Sequence, residues 1–201
     1  MIDRLRRLGR ALVILALLGI LMSFALQSPG VLRLMNPLDY VKPITVHADM
    51  NGIDPFLVAA IIRVESHYRH DAQSPRGARG LMQIMPETGE WAARQLRIDG
   101  YSEDLLMEPD TNIMIGAWYY RYLLEAFNDE AVIALAAYNG GPSNVERWLS
   151  NGTWSGRTED IGYIPYPETA RYVQRVLNMY RIYHKAYRSQ WPGHTGRQSA
   201  G

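Results

Sequence analysis

The chain contains no cysteine. That excludes a disulfide framework, a thiol nucleophile, zinc–thiolate sites and a lipid-bearing cysteine, while leaving the compartment open. Net charge is also nearly missing, at +1 over 201 residues. Five of the 21 Lys+Arg and two of the 20 Asp+Glu precede position 40, which leaves 16 basic against 18 acidic residues beyond it. So neutral a body lacks the electrostatic footprint of a nucleic-acid binder. No strand-length run of alternating polarity and no internal repeat occurs, so the chain reads as all-α. Its length suits one core plus an appendage, and 47% hydrophobic with 20% charged residues is ordinary for a globular protein.

The appendage is N-terminal. Arg4, Arg6, Arg7 and Arg10 lie in a basic segment, 1–10, and residues 11–32 then carry no charge. A membrane span needs about 20 apolar residues and a signal-peptide core roughly 7–15, so this stretch stands at the border of the two. Ser23-Phe24-Ala25 is a poor cleavage site because Phe24 is bulky. An uncleaved transmembrane anchor is therefore expected, with the arginines cytoplasmic and the rest of the chain outside the cytoplasm. Residues 33–39, with Pro37, read as linker.

Helical signals fill 40–187. Tyr40–Asn51 ends before Gly52. Asp54 to Tyr68 opens on an Asp N-cap with Pro55 at the first helical position. Glu87–Leu96 follows, with Trp91 and Leu96 inward, then Pro109–Phe127 with Ile113, Gly116, Tyr120, Leu123 and Leu124 on one side. Asp129 is placed to cap Glu130–Tyr138, Ser143–Leu149 adds a short turn, and Ser150–Pro165 reads as an irregular loop or small hairpin. A last helix opens at Pro167 or Glu168 and runs to Tyr187, with Tyr172, Val173, Val176, Leu177 and Tyr180 inward. Residues 188–201 form a polar tail expected to be disordered.

Glu65 is the informative residue. Val58, Ile61 and Ile62 fall at i, i+3 and i+4 of its helix, and Glu65 takes i+7 on the same stripe. A carboxyl group turned toward the core has its charged form disfavoured. Its pKa rises, as a proton donor near neutral pH requires. A buried structural glutamate is the competing reading.

Three further stretches stand beside it: Gly80-Leu81-Met82-Gln83-Ile84-Met85-Pro86, Ala137-Tyr138-Asn139-Gly140-Gly141-Pro142, and Ile164-Pro165 with Glu168-Thr169 and Tyr172-Val173. Together with Glu65-Ser66 and Ser74-Pro75, in this order, they closely resemble the soluble lytic transglycosylase family, which is related to goose-type lysozyme. The resemblance covers roughly 40–187. It implies a lysozyme-like helical catalytic domain that cuts the glycan strands of peptidoglycan. By the same resemblance Glu65 is the single catalytic acid, and Ser74 and Gln83 line the sugar site. Met85 packs on the saccharide and Tyr138 orients the carboxyl group, with Asn139 as its motif neighbour. Glu168 stands on the far wall of the groove. His67-Tyr68 and Ala170-Arg171 depart from common family residues and leave the subsites open.

The reaction so implied is non-hydrolytic and needs no metal or organic cofactor. Glu65 first protonates the bond between N-acetylmuramic acid and N-acetylglucosamine, then takes the proton of the muramyl 6-hydroxyl, giving a 1,6-anhydromuramyl end. Two alternatives remain open: a hydrolytic muramidase of the same fold with Glu159 or Asp160 as base, and a non-catalytic peptidoglycan-binding or assembly module. Partners would be glycan strands, the membrane through the N-terminal helix, and cell-wall or secretion-machinery proteins. His67 and His70 have metal-ligand spacing but no third ligand. The tyrosine-rich run Trp118-Tyr119-Tyr120-Arg121-Tyr122 suits sugar stacking as well as core packing.

Overall fold

The structure, a computed structural model, describes residues 2–191. The chain divides into two compact units, one drawn from its two ends (up to Pro37 and from Ile182) and one spanning Leu38–Arg181.

In the first unit, α1 (Ile2–Leu26) is followed by α2 (Pro29–Met35). Leu15, Leu18, Leu21 and Phe24 of α1 are exposed. The uncharged stretch is not one continuous rod. Ser28 caps α2 by accepting a hydrogen bond from the Val31 N–H at 3.4 Å, and Pro29 takes its first position. A proline there favours a new helix over continuation of the old one. Among the described residues no single helix is long and apolar enough to cross a membrane, but Ile14–Leu26 and Pro29–Met35 pass together as a pair bent by 67°. The linker composition thus hides a short helix. Arg33 of that helix donates to the Ala186 carbonyl at 3.2 Å, and the Tyr187 hydroxyl donates to the Asn36 carbonyl at 3.0 Å. Within the expected polar tail, Arg188–Gln190 form a 3-10 turn and Trp191 is buried, because its indole is the one large apolar group there. The rest of that expectation, 192–201, falls outside the described residues.

The second unit is helical, as the sequence indicates. It contains α3 (Val41–Asn51), α4 (Pro55–Glu65), α5 (Pro86–Leu96), α6 (Pro109–Ala126), α7 (Ala131–Gly140), α8 (Pro142–Ser150) and the start of α9 (Pro167–Tyr187). Two 3-10 turns, Glu103–Met107 and Thr158–Tyr163, lie in the connections, and no strand occurs among the described residues. Helix α6 is the central post, packing on α3, α5 and α7. Ile113, Ile115, Ala117, Tyr120 and Leu123 on it are fully buried. The four consecutive residues Ala134–Ala137 of α7 are also buried, so this helix is apolar all round, as a core helix is.

Three boundaries differ from those read in the sequence. Helix α4 stops at Glu65 rather than Tyr68, because His67 and Tyr68 take left-handed backbone angles (φ 55° and 65°). Helix α7 is capped at Glu130, with Asp129 itself left-handed. Segment 150–165 contains a 3-10 turn and no hairpin, consistent with its lack of alternation.

Candidate active site

Glu65 is the last residue of α4, and the helix is built to hold it there. Its N-terminus is fixed by the Asp54 carboxylate, which accepts from the Phe56 N–H at 2.8 Å and the Tyr180 hydroxyl at 2.9 Å. The face carrying Val58, Ile61 and Ile62 is fully buried. At the other end Ser66 closes the helix on the Ile62 and Arg63 carbonyls, and the Tyr68 hydroxyl donates back to the Ala59 carbonyl at 3.2 Å. The chain therefore turns sharply away and leaves the Glu65 carboxyl recessed at the helix end.

Its surroundings raise its pKa from 4.5 to about 7. Burial is the main cause, and the Glu168 charge adds to it. The Tyr172 hydroxyl and then the Arg175 guanidinium act in the opposite direction and hold part of the rise back. Tyr172 faces the carboxyl group but closes no hydrogen bond of ordinary length and angle in this state. Near neutrality such a carboxyl is partly protonated, the state from which a general acid works.

Tyr138 also stands beside Glu65, near enough for the carboxylate charge to help raise its own pKa, after burial. Its hydroxyl donates to the Met82 carbonyl at 2.8 Å. From Tyr138 an aromatic row continues through Tyr119, with ring centroids 5.5 Å apart, to Tyr122, Trp118 and Trp91.

The loop between α4 and α5 is a knot of turns. Ser74 pairs with Ala78 twice: its N–H donates to the Ala78 carbonyl at 2.9 Å, and its Oγ accepts from the Ala78 N–H at 3.0 Å. Gln83 is left-handed (φ 49°), and its Nε2 donates to the carbonyls of Ala72 at 3.1 Å and Gly80 at 2.9 Å. Both side chains are thus tied into the loop wall. Gly80 is required there, because its φ of 77° is left-handed and a Cβ would collide with the Leu106 carbonyl and the Asn112 amide. Met85 is exposed at the start of α5.

Buried Asn112 of α6 fastens this loop. Its Oδ1 accepts from the Met82 N–H at 2.7 Å, and its Nδ2 donates to the Leu106 and Arg79 carbonyls at 2.8 and 3.0 Å. The sequence reading passed over it. The available signal was a polar residue beside Ile113 on the inward stripe of α6.

Asn139 and Glu168 do not touch the carboxyl group in the same way. Exposed Asn139 accepts from the buried Thr169 hydroxyl at 2.9 Å and so ties α7 to α9. Glu168 is exposed in the first turn of α9 and lines an open groove of about 550 Å3 with Arg171, Gln174, Arg175 and Asn178. Glu159 is paired with Arg157 at 3.3 Å, and the Asp160 carboxylate accepts from Ser155 at 2.6 Å. Neither is among the charges that act on Glu65. Tyr172 acts on it through its hydroxyl and Arg175 through its charge; the sequence marks Tyr172 as a motif and inward residue but assigns a site role to neither. Among the described residues no group of three or more metal-ligating side chains gathers.

Comparison with known proteins identifies the family. The family described as "Transglycosylase SLT domain" matches residues 42–161. The chain is similar to the soluble lytic murein transglycosylase of Escherichia coli, with 39% identity over 160 residues covering 78% of this chain and 24% of that protein. The Salmonella typhimurium protein described in the same words is 37% identical over 158 residues, covering 77% and 24%. Among solved structures, an inactive mutant of the lytic transglycosylase Slt from Pseudomonas aeruginosa superposes with a TM-score of 0.70 at 36% identity, over 77% of this chain and 25% of that one. The chain spans about a quarter of the length of these relatives.

Proposed function

The chain belongs to the transglycosylase SLT domain family, and from that premise we propose that it is a peptidoglycan lytic transglycosylase in which Glu65 serves first as acid and then as base. The observation that carries this reading is the recessed Glu65 carboxyl with its pKa raised to about 7, walled by Tyr138 and Tyr172. Breaking a glycosidic bond requires a proton for the leaving oxygen and stabilisation of positive charge at the anomeric carbon. Protonated Glu65 gives its proton to the oxygen linking N-acetylmuramic acid to N-acetylglucosamine, and the C1–O bond breaks. The substrate's own acetamido oxygen stabilises C1, in place of a protein nucleophile. Glu65, now a carboxylate, takes the proton of the muramyl 6-hydroxyl. O6 then bonds to C1, the acetamido group is released, and a 1,6-anhydromuramyl end results with no water consumed. Holding the 6-hydroxyl against C1 is an effective-molarity task, one for a rigid wall. The ties of Gln83, Asn112 and Tyr138 to the 72–85 loop provide such a wall.

A hydrolase needs a second carboxylate to activate water. Glu159 and Asp160 are engaged with Arg157 and Ser155, which favours the one-carboxylate reaction. The same reading places the domain outside the cytoplasm, held by the apolar 11–32 segment behind its basic flank. Mass spectrometry of fragments released from purified peptidoglycan by the full-length chain tests the proposal. Anhydromuramyl ends, one water lighter than reducing ends, are expected. Reducing ends would replace it with a muramidase, and no release from folded protein with a binding module.

A further inference from the structure

The outer face of α9 is not used by the chemistry just described. Glu168, Arg171, Gln174, Arg175 and Asn178 recur there in steps of three and four, so they share one face of the helix, and together they line one groove. Tyr172, whose hydroxyl faces Glu65, lies on the adjoining inward stripe. The face that lines the groove thus adjoins the stripe that carries Tyr172. Arg175 marks the junction, since its charge acts on both Glu65 and His67.

Two arginines and one carboxylate, Glu168, give this face a small positive excess. Among the described residues Arg79, Arg94, Arg121 and Arg157 pair with a carboxylate, while Arg63, Arg97 and Arg147, like the two arginines of this face, do not. No carboxylate lies within ion-pairing distance of Arg171 or Arg175 among the described residues, although both are exposed. Two guanidinium groups one helical turn apart, with the amides of Gln174 and Asn178 beside them, make a donor-rich surface. Guanidinium forks match carboxylates in geometry as well as in charge.

We propose that Arg171 and Arg175 read a carboxylate carried by the muramyl substituent of the glycan strand, and so select muramyl-containing chains over neutral ones. This rests on the transglycosylase reading, which brings a muramyl residue to Glu65. The carboxylate has two sources: the lactyl group itself in a peptide-free strand, and the stem peptide attached to that group. Glu168 at the groove's end opposes a carboxylate approaching along it and directs the anion toward the arginines.

The test compares the full-length chain with its R171Q/R175Q and R171K/R175K variants. Three probes are used: peptide-bearing glycan fragments, the same fragments stripped of peptide, and chitin oligosaccharides, which carry no carboxylate. Binding is measured by calorimetry and cleavage by KM and kcat. The glutamine variant should weaken binding and raise KM about five- to tenfold for muramyl fragments, with loss of salt dependence. Its binding of chitin oligosaccharides should stay within about twofold, and the lysine variant should recover much of the loss. A loss confined to peptide-bearing fragments identifies the stem peptide, and a loss on both muramyl probes identifies the lactyl carboxylate. Equal losses on chitin oligosaccharides, or none on any probe, would overturn the proposal. Absence of cleavage by the unmodified chain would fail the transglycosylase reading instead, because the binding comparison needs no turnover.

Discussion

The Tyr138 hydroxyl donates to the Met82 backbone carbonyl at 2.8 Å, joining the end of α7 to a loop 56 residues earlier in the chain. One residue on from Met82 stands Gln83, and Glu65 is near enough to Tyr138 for its charge to act on that hydroxyl. The bond therefore links the loop that carries Gln83 to a residue beside the acid.

Tyr138→Phe keeps the ring and removes that bond. The unpaired carbonyl should cost about 1–2 kcal/mol, a fall in Tm of roughly 2–8 °C for a domain of this size. Activity should suffer more than stability, because small displacements of a reacting pair are costly: a kcat about ten- to a hundredfold lower is expected. Thermal melts and turnover measured on the same preparation check both. An unchanged kcat would mean that the loop keeps its place without Tyr138.

Asn112 is the deeper fastener, with three hydrogen bonds from one buried amide. Asn112→Ala leaves the Met82 N–H and two carbonyls without their partner, so a destabilisation of about 3 kcal/mol or more is expected, together with faster amide exchange at Met82. Asn112→Asp should fare little better, since a carboxylate lacks the two N–H donors that the Arg79 and Leu106 carbonyls require. Denaturant melts and hydrogen exchange measure this. A loss under about 1 kcal/mol would show that water replaces the amide.

Why Glu65 was legible in the sequence and Asn112 was not is a matter of range. The Asp54 cap, Pro55 and the Val58–Ile61–Ile62–Glu65 spacing are local signals, and local geometry converts them directly into a helix that aims a carboxyl inward. The ordered motifs also brought the 80–86 loop and the 137–142 segment into view. Asn112 acts on partners 30 and 33 residues away, which no periodicity encodes. The left-handed His67 and Tyr68 escaped notice because neither is glycine, and the turn is held by a distant hydroxyl–carbonyl bond. Short α2 was hidden because it straddles the uncharged 11–32 stretch and the linker that follows.

Tyr172 gives a prediction in pH. Its hydroxyl lowers the Glu65 pKa, so Tyr172→Phe should raise it. Activity requires protonated Glu65 and falls as that group ionises. The alkaline limb of kcat/KM should therefore lie near pH 7 in the unmodified chain and move to higher pH in the variant. A pH–rate profile of each protein reads the shift directly. A limb that stays in place, or moves down, would remove Tyr172 from the set of groups that tune the acid.

Glu65→Gln separates chemistry from folding. Losing a general acid typically costs 10²- to 10⁴-fold, and here the same group is also the base, so cleavage should drop below detection while glycan binding persists. Stability carries a second sign. The Glu65 pKa is about 7 when folded against 4.5 for an unperturbed glutamate, so the folded state holds the proton more tightly between those pH values. Stability contributed by this group is thus full below about pH 4.5 and is lost as pH rises toward 7. At pH 8 the buried carboxylate imposes a penalty on the order of 3 kcal/mol, and glutamine does not. The variant should accordingly melt higher than the unmodified chain at pH 8 and at the same temperature near pH 4. Retained cleavage would end the role assigned to Glu65. Equal melting at both pH values would mean that its carboxyl group is solvated, and that its acidity must be tuned by substrate.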